Sequence, residues 1–533
     1  MSSLTLAQSD TMSAPLTSES FTSSLCSTTT VNGDTEHNKS VPPLPELSQP
    51  KKWSLLALLS LGLFVDIWSY SAFYVLTGPI SSDLSVAIEQ QSWVITSYAA
   101  TFCAFLLFWG RVSDLVSAKS VFSFNFMALG ILNLVISFLP DKYSFFVVRV
   151  ISGIAGAALI PASYRLIVAI FEPQELCKAF IVYGISSVLA NTSGIVVAAL
   201  LEFIANEGQM VAWRWFFRIL AAVILPFAFG SLYWIPAPRP RATPLDNIWK
   251  RLDLVGSLSM LSGILLLILS LTLGASDGWR TPGVLVPFLL AFLLFPFFFI
   301  WESRIPAEHA LLPPATWHIP NFGIFIAFAL YIYAWWSLTY LPFIETFIHT
   351  HGDDTIVAAA RMLPQGFAAG AMTIFLTVYP QFVAHPRWPI TLGMIAGFAG
   401  YILFIFSEGM IGDRYWIFTF TGSIIGSAGT SLVFTATNAG IMTAVPPEMA
   451  GVAGAVLQVA LQVGSAVALS IQAGLLTVEP GNNTNWVNVR ASFIFVLGWG
   501  MVWLVGFLVF YRPVRKFGRE EEAQRENKVV PHM

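Results

Sequence analysis

Long apolar runs alternate with short polar breaks along the whole chain. Fourteen of these runs reach the roughly 20 residues that a helix needs to cross ~30 Å of hydrocarbon. Spans 1 to 6 fall near 53–76, 92–110, 119–139, 143–171, 178–204 and 213–236. Spans 7 and 8 fall near 253–274 and 282–301. Spans 9 to 14 fall near 320–343, 355–379, 389–407, 415–444, 450–476 and 491–511. Backbone polar groups have no water partner at that depth, so each run is predicted to be helical. The alternating ten-residue segments of a membrane barrel are missing. The pattern therefore predicts an all-α polytopic membrane protein with 14 transmembrane helices.

The breaks suggest an organisation. Residues 1–50 hold no apolar run, are rich in Ser, Thr and Pro, and read as a disordered cytosolic tail. A six-helix bundle is expected over 51–236, then a linker with a two-helix insert over 237–319. A second six-helix bundle follows over 320–511, and a cytosolic tail over 512–533. Paired six-helix bundles suggest alternating access around a midplane site.

Composition supports lipid as the solvent. The chain of 533 residues is 56% hydrophobic and 11% charged, with mean hydropathy +0.71. A soluble chain carries about 25% charged residues. Net charge is -3, which gives a nucleic acid nothing to bind. Cys26, Cys103 and Cys177 are scattered, without CxxC or disulfide spacing. His349-Thr350-His351-Gly352-Asp353-Asp354 lacks the spacing of a closed metal site, so no metal and no cofactor are expected. With no Walker loop, HExxH or GxSxG, an ATP-driven pump or a membrane hydrolase has no support, and the chain is not expected to be an enzyme.

Basic residues orient the spans. With the N-terminus cytosolic, fifteen Lys and Arg near span ends fall inside, including Lys51, Lys52, Arg111, Lys119, Lys178 and Arg387. The outer loops receive Lys142, Arg280, Arg414 and Arg490, with Arg214 at the border. Both termini are thus expected in the cytosol. Asn482, in the sequon Asn482-Asn483-Thr484, falls in an outer loop as a glycosylation candidate. The plasma membrane is the default address, with the vacuolar membrane as the alternative.

Ionisable residues inside spans are costly and mark function or pairing. Asp66 is the only one within span 1, roughly 20 Å along it from Trp53. Arg149 lies roughly 9 Å below the outer end of span 4, so the two depths nearly coincide. An Asp66–Arg149 pair facing a central cavity is expected, either coupling a proton to the bundles or fixing their packing. Asp114, at the end of span 2, is placed to cap a helix N-terminus and pair with Arg111 or Lys119. Arg361 in span 10, and Arg218 in span 6, either meet an anionic substrate group or anchor structure. Gln458 and Gln462 share a face of span 13, for substrate or for interhelical hydrogen bonds. Tyr333, Trp336 and Tyr340 share a face of span 9, to stack a planar or cationic ligand or to form an interfacial belt. Gly153 and Gly156 let span 4 approach a neighbour closely.

Several segments carry a family likeness. Gly110-Arg111-Val112-Ser113-Asp114 with Lys119 resembles the loop 2–3 signature of the major facilitator superfamily. Arg149 with Gly153-Ile154-Ala155-Gly156-Ala157-Ala158 resembles its span 4 signature. Trp213-Arg214-Trp215-Phe216-Phe217, Arg361-Met362-Leu363-Pro364 and Pro447-Glu448-Met449-Ala450-Gly451-Val452-Ala453-Gly454 are similar to segments of the fourteen-span drug:proton antiporter family. The nearest flavour is the fungal aminotriazole-resistance-like branch. Leu189-Ala190-Asn191-Thr192-Ser193-Gly194 lacks the Gly-Pro pair usual in span 5 of that family. The resemblance implies proton-coupled export of a drug, toxin or metabolite by a monomer working in the bilayer. It also implies a loop 2–3 gate carried by Gly110, Arg111, Asp114 and Lys119. Rival expectations are uptake or vacuolar transfer of a nutrient-like solute, and a membrane sensor that does not transport.

Overall fold

A computed structural model describes residues 47–87, 90–204, 208–236, 252–306, 309–312, 314–383, 385–410, 412–446, 449–476, 478–479 and 485–512. The N-terminal tail up to residue 46, most of the linker, Cys26, the Asn482 sequon and the tail beyond 512 lie outside them.

The apolar runs are helices. The first half contains α1 (Gln49–Ser71), α2 (Phe73–Asp83), α3 (Ser92–Leu115), α4 (Ala118–Ile136), α5 (Lys142–Ala157), α6 (Leu159–Ile170), α7 (Pro173–Leu201) and α8 (Ala212–Trp234). The insert is α9 (Leu254–Asp277) and α10 (Pro282–Glu302). The second half contains α11 (Phe322–Glu345), α12 (Thr355–Val378), α13 (Arg387–Ile405), α14 (Thr421–Ala444), α15 (Ala450–Leu475) and α16 (Trp486–Phe510). α1 and α2 belong to one run, as do α5 and α6. The latter pair is interrupted at Ala158, three residues before Pro161. Pro161 cannot donate to the Ala157 carbonyl, and its ring crowds that oxygen.

Local chemistry fixes the starts. Asp141 accepts from the backbone N–H of Tyr143 and of Ser144, each at 3.0 Å, and opens α5. That exposed carboxyl is held below its ordinary range, chiefly by the Ser144 hydroxyl and N–H. Asn485 opens α16 by accepting from Val487 N–H at 3.0 Å.

Among the described residues, 13 helices are long and apolar enough to cross a membrane, one fewer than the pattern predicts. The remaining run, α12, is as long but more polar, carrying Arg361, Pro364 and Gln365. Burial separates interior spans from peripheral ones. The apolar windows of α15 and α11 are 72% and 71% buried, whereas that of α10 is 17% buried and faces lipid.

Two six-helix bundles and the insert assemble from pairs of helices. α1 packs on α7, α3 on α5 and α4 on α8 in the first bundle. α13 packs on α14, α12 on α14 and α11 on α15 in the second. Across the seam, α7 meets α12, while α3 and α6 meet α15. α9 touches both α3 and α15, so the insert straddles the seam. The α3–α5 contact is close because of Gly153. A Cβ there would stand 2.5 Å from the Tyr98 carbonyl oxygen and 3.1 Å from Phe102 N. Gly153→Ala is therefore expected to destabilise the protein by about 1–3 kcal/mol, read as a lower thermal midpoint in detergent.

Candidate functional site

The seam holds a cavity walled by side chains of both bundles. Its aromatic walls are Tyr70 and Tyr74 from the first bundle and Tyr333, Trp336, Tyr340 and Phe434 from the second. The three expected positions on α11 all line it, as their shared face requires. Polar groups come from Ser187, Asn191, Thr192, Ser337, Gln365 and Ser427, and among the described residues no charged side chain lines it. Tyr74 and Tyr340 stack across the seam with ring centroids 5.6 Å apart at 16°. Asn191 donates to the Tyr340 hydroxyl at 2.7 Å, which fixes that ring from α7.

A second cavity adjoins the first and shares Ile67, Tyr70, Tyr333 and Ser337 with it. Asp66, Tyr98 and Gln462 line this smaller space. Asp66 is buried, and its Oδ1 accepts from the Tyr98 hydroxyl at 2.7 Å. Arg149 is buried too, with its guanidinium carbon 4.3 Å from the Phe73 ring centroid and 4.6 Å from that of Tyr98. A desolvated cation–π contact is worth about 2 kcal/mol or more. The expected direct pair is not formed, since no Asp66–Arg149 ion pair occurs among the described residues. Tyr98 stands between them, its ring on the cation and its hydroxyl on the anion. The reason is space. Gly156 leaves room for the Tyr98 hydroxyl, which a Cβ there would strike.

The bundles also meet at the end where α3 stops and α15 starts. Asp114 Oδ1 lies 3.5 Å from Arg165 Nε on α6. A Cβ at Gly451 would stand 2.7 Å from the same oxygen, so the carboxylate rests against the first turn of α15. A helix N-terminus attracts an anion. Gly110 sits equally close, 3.1 Å from Ala455 Cβ by the same measure. Tyr164 packs on Gly454 and lies 3.4 Å from Asn438 Oδ1. The cavity thus has contacts between bundles at this end, and Tyr74–Tyr340 with Asn191 towards the other. Asp114 thus pairs with Arg165 while facing a helix N-terminus, and α4 itself is opened by Ser117, which accepts from Ser120 N–H at 3.5 Å. Lys119 is half-buried in the first turn of α4.

The profile of the Major Facilitator Superfamily matches residues 59–469. The chain belongs to that superfamily. It is similar to the puromycin resistance protein pur8 of Streptomyces alboniger, 28% identical over 432 residues, covering 80% of this chain and 82% of that one. It is similar to the efflux pump terJ of Aspergillus terreus, 24% identical over 419 residues, covering 76% of each. Among solved structures, the proton:xylose symporter XylE aligns with a TM-score of 0.59 at 14% identity, covering 90% of this chain and 100% of that one. The human organic anion transporter MFSD10 aligns with a TM-score of 0.57 at 14% identity, covering 86% and 99%. At such identities the structural likeness speaks for the fold. A member of this superfamily is a membrane transporter, not an enzyme.

Not every expected residue of this superfamily member joins the site. Arg361 lines neither cavity. It forms an ion pair with Asp353 at 2.5 Å, contacts His351 Nδ1 at 3.1 Å, and lies over the Phe347 and Tyr415 rings. His351 reaches the Gly409 carbonyl at 2.8 Å, so Arg361 ties the α11–α12 connection to the one after α13. Arg218 lies over Phe138 and Trp215, away from both cavities. Gln458 is buried one turn before Gln462 but lines neither cavity. Tyr98 and Gln365, which sequence reasoning passed over, do line them. A tyrosine or glutamine in a mixed span carries little signal alone.

The Asp114–Arg165 pair generates a prediction. In a background lacking Cys26, Cys103 and Cys177, Val452→Cys places a thiol on the α15 turn against Gly110. Adding Asp114→Asn or Arg165→Leu is expected to speed its labelling by a water-soluble maleimide several-fold, measured as a labelling rate.

Proposed function

We propose that this transporter exports small organic compounds in exchange for protons, by alternating access of its two bundles. The observation that carries the reading is the shared wall between the Asp66 cavity and the aromatic cavity. A proton bound at Asp66 and a compound among Tyr74, Tyr333, Trp336 and Tyr340 act on the same side chains. Protonation of Asp66 removes the anion from the Asp66–Tyr98–Arg149 group and leaves Arg149 as an uncompensated buried cation. Such a charge is costly and favours a rearrangement that supplies water or another partner. A proton drives only a conformational state it binds differently, and this group has that property.

Asp114, Arg165 and the first turn of α15 serve as the gate on the side where α1 begins and α16 ends. The excess of basic residues supports placing that side in the cytosol. The plasma membrane, the fourteen-span drug:proton antiporter subtype and monomeric action belong to the same proposal. Resistance and efflux names among the relatives support export. A low affinity ammonium transporter of Saccharomyces cerevisiae, 23% identical over 397 residues, favours a second reading in which a nutrient-like solute moves instead.

The test is energised flux in cells stripped of their own exporters, using a panel of apolar dyes and toxins. Wild type is expected to lower accumulation of at least one compound. Collapse of the proton gradient and Asp66→Asn are each expected to abolish the effect. Normal extrusion by the mutant would overturn Asp66 as coupling site, and accumulation raised by wild type would favour uptake.

A further inference from the structure

We infer that the aromatic cavity selects an uncharged, flat ring compound carrying an adjacent N–H and C=O, a lactam or cyclic imide edge, and that Gln365 reads that edge. The inference rests on the transport reading of the same cavity and names its substrate class.

The first support is hydrogen bonding. Gln365 lines the cavity, is fully buried, and has no partner for either Oε1 or Nε2 among the described residues. Neighbouring polar groups are engaged. Asn191 holds Tyr340, Ser337 pairs with Ser465 at 2.6 Å, and Thr192 donates to the Val188 carbonyl at 3.0 Å. Ser427 donates to the Gln365 backbone carbonyl at 2.8 Å and accepts from Trp336 Nε1 at 3.2 Å. That bridge fixes the Gln365 backbone and the indole while leaving the side-chain amide unused. A buried amide without partners is destabilising, and a position needed for packing alone is better served by an apolar side chain of similar volume. An unsatisfied amide at the cavity wall indicates a ligand that satisfies it.

The second support is shape and charge. A primary amide offers an acceptor and a donor in one plane. A cyclic –NH–C(=O)– edge is its complement and closes two hydrogen bonds together. The surrounding aromatic faces suit a flat ring. Tyr74 stacks on Tyr340 at 16°, and Tyr333 lies beside Phe434 at a tilt of 31°. Among the described residues, no acidic or basic side chain lines this cavity to neutralise a charged ligand. Asp66 is in the adjoining space and is engaged by Tyr98.

The experiment uses the full chain in lipid nanodiscs and three probes of one ring shape: quinolin-2(1H)-one, its N-methyl derivative and the N-methylquinolinium cation. Dissociation constants are read from tryptophan fluorescence. Wild type is expected to bind quinolinone about tenfold or more tighter than either analogue, the value of one to two hydrogen bonds. Gln365→Met is expected to bind quinolinone and its N-methyl derivative equally, with an apo thermal midpoint unchanged or raised. Equal binding of the three probes by wild type, or binding of none, overturns the inference. So does a preference kept in Gln365→Met, or a fallen midpoint with all binding lost, which marks a packing role. Export without lactam preference sinks this inference alone, whereas lactam binding without any flux sinks the export reading alone.

Discussion

A carboxylate placed in hydrocarbon must be stabilised by what surrounds it, and the centre of this protein is organised by that requirement. Asp66 is buried on α1 with a single described hydrogen bond, from Tyr98. Tyr98 keeps its position because Gly153 lets α3 and α5 touch and Gly156 leaves room for the hydroxyl. The same ring forms one face of the slot that holds Arg149, with Phe73 as the other. Anion, phenol and cation form one unit spanning α1, α2, α3 and α5. Each charge is buried, and neither is neutralised by direct contact, which is the basis for proposing this unit as the proton site. A tight buried ion pair would be harder to disturb, because breaking it leaves both charges stranded.

The transport reading follows from what borders that unit. Ile67 and Tyr70, one and four residues after Asp66, belong to both cavities. Residues three or four apart share a helix face, so α1 presents its acid and its aromatic wall side by side. Opposite stands α11, whose Tyr333 and Ser337 also serve both spaces. A compound that repositions α11 alters the surroundings of Asp66 through those shared side chains. The insert adds a constraint of its own, because α9 contacts α3 and α15 together. Any rocking of the bundles has to slide along that helix.

Much of this was legible in the chain. Hydrocarbon thickness makes spans visible as apolar runs, and the cost of a buried charge singles out Asp66 and Arg149. The period of a helix put Tyr333, Trp336 and Tyr340 on one face, and they line one wall. What the sequence hid depends on side chains meeting across helices. Tyr98 is one tyrosine among many until α3 is laid against α5. Depth along α12 left Arg361 open to a substrate contact or an anchoring role. The π-helical turn Thr346–Thr350 and the loop after it bring Asp353 and His351 to the guanidinium. Gln365 is four residues further on, and its meaning lies in bonds it lacks, which no single-helix argument reveals. The expected fourteenth membrane helix falls short on hydropathy because α12 carries these polar residues in one short stretch.

The central claim is that a proton on Asp66 and a compound in the aromatic cavity are linked, and such linkage is reciprocal. Calorimetry tests it most directly. A transported compound is titrated into the full chain in nanodiscs, in two buffers of different ionisation enthalpy at one pH. The difference in heat reports the protons exchanged per compound bound. The account predicts net proton release by wild type and none by Asp66→Asn, with the compound still binding to both. Equal proton release by the two proteins, or none by wild type, would contradict it.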